Sequence, residues 1–165
     1  MVTIGAAGGE LRRELSTAWV AVAELYMTDL CDEEQAEDEA KRSIEEAVAA
    51  DESNPEAHQA MASYLLVKED VEGAREAIDR SVSLWLPGHV AMLERGGGEE
   101  EATAQLDYNT RLVTAKILIE VGDWDNGTAV LDGLVAEDDE VVAAWYLLGW
   151  LNYHRGEEEY TGNAR

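Results

Sequence analysis

Residues 54–84 constrain the fold more than any other stretch, because two helical patterns follow one another there with only a short polar break between them. In the first, His58, Met61, Ala62 and Leu65 recur at the three- and four-residue spacings that share one helical face. In the second, after Glu69-Asp70-Val71, Ala74, Ile78, Ser81 and Val82 recur in the same way, while Arg75, Glu76, Asp79 and Arg80 fall on the opposite side. Asn54 or Ser53 supplies a cap and Pro55 suits a first helical turn. The pattern predicts a helical hairpin. One hairpin cannot bury its own apolar face, so the rest of the chain has to supply neighbours of the same kind.

It does so, and the pattern resembles the tetratricopeptide signature, a W-x2-L-G-x2-Y helix followed by an A-x3-F helix in a period of about 34 residues. His58, Met61, Ala62 and Leu65 stand at the four signature positions of the central hairpin, and Ala74 and Ile78 match its second helix. Trp145, Leu148 and Gly149 match near the C-terminus; Trp19, Val22, Ala23 and Tyr26 match near the N-terminus. Arg111, Thr114, Ala115 and Leu118 lie 34 residues before the last set, and Gly122-Asp123-Trp124 resembles the Gly-Asp-Tyr turn of the family. The resemblance implies an all-α, tetratricopeptide-like α-solenoid of helical hairpins wound as a right-handed superhelix. Its repeats cover about 16–52, 54–85, 107–138 and, in part, 141–156 of a single solenoid over residues 10–156.

Between these repeats lie the segments that break the period. Residues 1–9 read as a flexible leader, and Ser16 or Thr17 as the cap of a helix starting there. The first repeat carries five extra residues relative to the central one, expected to lengthen its helices. Trp85-Leu86-Pro87-Gly88-His89 ends the helical pattern, so residues 86–104 read as an inserted loop, mobile around Gly96-Gly97-Gly98. His154-Arg155-Gly156 reads as a turn and residues 157–165 as a truncated tail. A final helix this rich in Trp, Tyr and Leu needs a neighbour, which points to self-association or to a longer solenoid.

Phe is absent despite five Trp and six Tyr, so Ile44, Ile78 and Leu131 take the aromatic position of the second helices. Thirty-six acidic residues against 12 basic ones give a net charge of −24. That field repels nucleic acid and attracts a cationic partner, with a pull that weakens in salt; plain solubility is the competing account. A single Cys31 excludes an internal disulfide, and no segment has the length and apolarity of a signal peptide or membrane span. His58, His89 and His154 are far apart, no H-E-x-x-H or nucleophile motif occurs, and the glycine triplet lacks the Lys-Ser/Thr of a phosphate loop. The chain reads as a non-enzyme with no cofactor and no metal.

In such a scaffold the concave groove lined by first helices carries the function. Periodicity projects a stripe from each first helix: Thr17, Val20, Glu24 and Met27; Glu56, Gln59, Ser63 and Leu66; Asn109, Leu112, Lys116 and Ile119; Ala143, Tyr146, Trp150 and Tyr153. The last is aromatic, suited to an extended basic peptide through ring packing and cation–π contact, or else to packing on a partner helix. The acidic run at residues 32–39 reads as a solvated helix face. Only Lys116 and Asn109 match the basic clamp by which one subclass holds carboxylate-rich ligands, so a basic ligand is favoured.

The run Ala18-Trp19-Val20-Ala21-Val22-Ala23-Glu24-Leu25-Tyr26-Met27-Thr28-Asp29-Leu30-Cys31-Asp32-Glu33-Glu34, the Ile44-Glu45-Glu46-Ala47 helix, Leu118-Ile119-Glu120-Val121-Gly122-Asp123-Trp124 and the residues 145–150 carry a closer resemblance. Over about residues 16–156 the chain is similar to the fungal dedicated assembly chaperones of large-subunit ribosomal protein uL4. That resemblance implies a holdase of cytoplasm and nucleus that protects the basic internal extension of new uL4 during ribosome biogenesis. Glu24, Asp29 and Glu120 would pair the ligand's cations, Met27, Leu112, Tyr146, Trp150 and Tyr153 would pack their stems, and Asn109 would line the same surface. No direct nucleic-acid or membrane partner is implied. The alternative is a generic protein–protein scaffold, which needs no preference for a basic ligand.

Overall fold

The computed structural model describes residues 4–96 and 106–162, with side chains at 8–96 and 106–156. Among the described residues it is all-helical, an α-solenoid of seven helices. They are α1 (Ile4–Met27), α2 (Ala36–Ala50), α3 (Pro55–Val67), α4 (Val71–Glu94), α5 (Tyr108–Glu120), α6 (Trp124–Glu137) and α7 (Val142–Gly162). They divide into two compact units, residues 1–84 and 85–165. The division falls inside α4, just before Pro87, whose missing N–H leaves the Ser83 carbonyl without its helical donor.

In the first unit the small residues of the periodic pattern set the helix spacing. Ala23 and Ala62 of the first helices, and Ala40, Ala47 and Ala74 of the second, are fully buried, as are Ile44 and Ile78 at the position where the family has an aromatic residue. Val20, Ala23, Ile44, Ala47, Ala57 and Ala60 form one core, closed over by Trp19, Met27, Val48, Met61 and Tyr64. Polar groups pin it. Ser16 Oγ donates to the Ala47 carbonyl at 2.7 Å, and Asn54 Nδ2 donates to Ser16 Oγ at 2.8 Å. Asn54 also caps α3, accepting from the Glu56 N–H at 3.1 Å, with Pro55 in its first turn.

The second unit holds the far end of α4 with α5, α6 and α7. Ala115, Leu118, Leu131, Leu134, Ala144 and Leu151 are fully buried in its core. Gly133 admits the end of α4: a β-carbon there would stand 2.9 Å from His89 Nε2 and 3.3 Å from Leu93 Cδ1. Arg111 occupies the first signature position, nearly buried. It donates from Nε to the Leu106 carbonyl at 3.0 Å, and its Nη2 meets Glu137 Oε2 at 2.6 Å. The other substitutions become intelligible beside it. His58 donates to the Glu52 carbonyl at 2.8 Å and Trp145 Nε1 to the Asp139 carbonyl at 2.9 Å. Histidine and arginine thus do at this position what Trp145 does in α7: each supplies an N–H that fastens the preceding loop.

Several sequence expectations need correction. α1 starts at Ile4, so residues 4–9 are its opening turns rather than a leader, and Ser16 lies mid-helix instead of capping it. The five extra residues of the first repeat lengthen no helix: residues 28–35 make an eight-residue connection where residues 68–70 and 121–123 make three-residue turns. Residues 86–94 are helix, because Leu86, His89 and Met92 bury one face; Pro87 and Gly88 hid that spacing. The helix stops at Gly96, which adopts φ +66 as a left-handed terminator. The rest of the expected loop, residues 97–104 with Gly97 and Gly98, lies outside the described residues. α7 runs through His154-Arg155-Gly156 to Gly162, so no turn occurs there and the expected tail begins as helix.

Candidate functional site

The residues 141–156 contain no acidic side chain in a protein with 36 of them. Helix α7 turns Ala144, Leu147 and Leu151 inward, against the preceding hairpin. The opposite stripe is left to Tyr146, Trp150 and Tyr153, which are 66%, 45% and 60% exposed. Spaced at four and three residues, these three rings sit one above the other. Tyr146 and Trp150 lie near parallel, 16° apart in plane with centroids at 6.5 Å; Trp150 and Tyr153 follow at 6.5 Å and 30°.

The ladder is braced from behind by residues that sequence reasoning gave other roles. His154 meets Trp150 edge-on at 4.4 Å and Tyr153 at 5.5 Å, and stacks on Trp124 at 6.3 Å with the planes 6° apart. Trp124 opens α6, and Asp125 beside it pairs with Arg155 at 3.4 Å. The sequence pattern places His154 in a turn, and its four-residue spacing from Trp150 is the signal that sets it on the helix instead. The pattern also places Trp124 in a turn, and nothing local in the sequence points it at α7.

The other predicted residues are distributed as follows. On α5, Asn109 and Glu120 are exposed and Leu112 half-buried. At its start the Asp107 carboxylate accepts the Thr110 N–H and hydroxyl, each at 2.9 Å. That backbone hydrogen bond, opposed by partial burial, holds Asp107 below its ordinary 3.8. Burial, followed by the charges of Asp138 and Glu137, pushes the neighbouring Tyr108 hydroxyl up. In the first unit Glu24 is exposed on α1, Met27 is half-buried against the core, and Asp29 is exposed in the connection after α1 rather than on a helix. Within the projected stripes Val20, Gln59 and Ile119 are buried. Val20 packs with Ala57 and Ala60 of α3, so where neighbouring first helices abut they cover the stripe's edge.

Among the described residues no group of three or more His, Cys, Asp or Glu could hold a metal ion, and no helix is long and apolar enough to cross a membrane. Cys31 is exposed and free.

The comparisons with known proteins converge. A family model described as Tetratricopeptide repeat matches residues 112–159. A "Probable assembly chaperone of rpl4" from Schizosaccharomyces pombe is 30% identical over 144 residues, covering 87% of this chain and 40% of that protein. One of the same description from Emericella nidulans is 35% identical over 120 residues, covering 72% and 28%. The solved structure described as "Assembly Chaperone of RpL4 (Acl4) (Residues 1-338)" superposes with a TM-score of 0.82 at 33% identity, covering 99% of this chain and 54% of that one. The chain therefore spans well under two thirds of the length of each.

Proposed function

The chain is a tetratricopeptide-repeat protein that resembles the assembly chaperones of ribosomal protein L4, and on that premise we propose that it acts as a holdase for uL4. The observation that carries this reading is the extent of the likeness, which runs along nearly all of this chain in both sequence and structure. The chemistry agrees with it. A protein of charge −24 draws in a lysine- and arginine-rich segment, and the exposed rings of α7 give the alkyl stems and cationic heads of such a segment a place to pack.

In this mechanism capture proceeds by field and then by fit. On the first unit the exposed Glu24 and Asp29 pair cations and Met27 covers apolar stems; on the second, taken by itself, the exposed Glu120 pairs cations, and Leu112, Asn109 and the rings of Tyr146, Trp150 and Tyr153 line the surface on which stems pack. No bond is made or broken and no cofactor is used; the role is non-enzymatic. Release follows from competition by a partner that binds the same segment more tightly. The chaperone travels with its client, so it works in cytoplasm and nucleus. Sequestration of the basic extension until assembly also prevents its unspecific binding to nucleic acid.

Calorimetric titration with the isolated internal extension of uL4, beside a scrambled peptide of equal charge, tests this. Tight binding that the scrambled peptide does not match is the expected result. Equal binding of the two reduces the function to a polyanion effect, and binding of neither removes it.

A further inference from the structure

Helix α1 carries two apolar stripes, and its own chain uses one of them. Ser16, Val20, Ala23 and Met27 turn toward the core of the first unit, where α2 and α3 supply Ile44, Ala47, Ala57 and Ala60. On the far side Leu11, Leu15, Val22 and Leu25 are 66%, 51%, 36% and 43% exposed, and Ala18 between them is exposed as well. The spacing from Leu11 to Leu25 runs four, three, four, three, and Ile4 and Gly8 continue the same register to the start of the helix. An unbroken alternation of this kind averages 3.5 residues, the period of the a and d positions by which one helix pairs with another in a left-handed supercoil.

The start of α1 also lacks support from its own chain. Among the described residues its first polar ties to the rest of the unit come from Arg13, to Asp51 Oδ2 at 3.5 Å and to the Ser53 carbonyl at 3.1 Å. Residues 4–12 run ahead of these ties as helix. Gly8 and Gly9 stand there, and a β-carbon on either would meet nothing within 4 Å. Glycine is a poor helix former, and a short helical segment without packing is marginal in water. A second helix laid along the exposed stripe supplies the packing that local propensity does not.

The stripe itself narrows what that helix can be. From Leu11 onward its borders are Arg12, Trp19 and Tyr26 on one side and Glu14 and Ala21 on the other, one cation and one anion in a protein of charge −24. A border without net charge offers a basic segment no attraction, and lets two acidic copies approach where they repel least. Among the described helices only α1 keeps the four-three alternation over two heptads with exposed apolar residues, so the matching seam is the same helix on a second copy. From residue 4 to 25 the seam is ~32 Å long, and at a helix width of ~12 Å it covers ~400 Å² per copy. A pair therefore covers ~800 Å², at the low end of specific interfaces, which suits a reversible dimer.

We infer that two copies of this protein associate through α1, seam against seam, in a two-fold dimer held by Leu11, Leu15, Ala18, Val22 and Leu25 of each. Glu24 and Met27 lie off the seam, so the association stands apart from the holdase reading and neither needs nor blocks it. Repulsion between two bodies of like charge opposes the dimer. Salt accordingly strengthens it, the opposite of its effect on capture of a basic segment.

Sedimentation equilibrium of the whole chain tests this, with reductant present to exclude a disulfide through the exposed Cys31. In about 0.3 M salt the mean mass rises from one chain near about 1 µM toward two near about 200 µM, and in about 0.05 M salt the rise moves to higher concentration. Leu11→Lys and Leu15→Lys each place an ammonium on the seam at a side chain more than half exposed, so both keep the helical circular dichroism of the parent. Each weakens association at least about tenfold. Val142→Lys, at an exposed apolar residue of α7, leaves association unchanged. A chain still monomeric at about 200 µM overturns the proposal. So does a dimer that survives both seam substitutions, that is lost with Val142→Lys, or that salt weakens.

Discussion

Ser16 is a middling helix former placed in the middle of α1, and its hydroxyl explains why it is there. It donates to the Ala47 carbonyl and accepts from Asn54, joining α1, α2 and the cap of α3 through one buried oxygen. Asn54→Ala removes both the cap, worth ~1 kcal/mol, and a buried hydrogen bond, worth another ~1 kcal/mol. Chemical denaturation should therefore show a loss of about 2 kcal/mol for Asn54→Ala. Ser16→Ala keeps the cap but removes both hydrogen bonds of the buried hydroxyl, so it should lose about 2 kcal/mol as well. A loss of only about 1 kcal/mol in Asn54→Ala would remove the cap from the account. The sequence points to Asn54 or Ser53 as the cap before Pro55 and to Ser16 or Thr17 as another, since a hydroxyl reaching 31 residues along the chain leaves no local pattern. A second residue-level prediction concerns Asp107, held below 3.8 by the Thr110 amide against partial burial. A carboxylate depressed in the folded state contributes its stability above the unfolded pKa and loses it as pH falls through the folded one. Asp107→Asn, still a capping residue, should thus be less stable than the parent near neutrality. The gap in melting temperature between them should close as the pH falls from above the ordinary 3.8 down through the lowered value of the folded state.

The interhelix turns show how the elements depend on a single backbone position. Gly122 and Glu69 occupy the same place in the turns after α5 and α3, and both have positive φ, +74 and +61. Glycine adopts that conformation freely; a residue with a β-carbon is penalised by roughly 1–2 kcal/mol. Glu69→Gly should accordingly stabilise the protein by about 0.5–1 kcal/mol, and Gly122→Ala should destabilise it by at least as much, in thermal melts followed by circular dichroism. A destabilising Glu69→Gly would show that its side chain matters more than its backbone. Gly149 behaves differently. It holds the register position of Ala23, Ala62 and Ala115, which are fully buried, but a β-carbon there would meet nothing within 4 Å. At this scale the sequence was most legible. The hairpins, their turns and the small residues between helices follow from a three- and four-residue period that α3, α5 and α6 keep without interruption. It misled where Gly and Pro, strong local signals, were outweighed by burial, as at Pro87 and Gly88 in α4 and Gly156 in α7. The candidate surface was legible in part: the spacing of Tyr146, Trp150 and Tyr153 gave the stripe, while Trp124 enters the ladder from another helix and has no spacing to announce it.

Across the whole molecule, one quantity makes opposite demands on stability and on binding. A net charge of −24 on 165 residues places like charges within reach of one another over much of the surface, and folding brings them closer than the extended chain does. The described ion pairs are mostly exposed, among them Arg80–Glu52, Lys68–Glu37 and Lys41–Glu45, and such pairs contribute little each. With so few cations to pair, the balance of surface electrostatics is repulsive. Added salt shortens the Debye length from about 14 Å at 0.05 M to about 6 Å at 0.3 M, and so relieves that repulsion. The melting temperature should rise over this interval. The affinity for a basic peptide should fall over the same interval, because the same screening weakens the field that draws the peptide in. Parallel thermal melts and titrations in one salt series test both signs on one sample. A melting temperature that falls with salt would mean that the scarce ion pairs outweigh the repulsion. An affinity indifferent to salt would mean that the −24 charge keeps the protein soluble but has no part in capture.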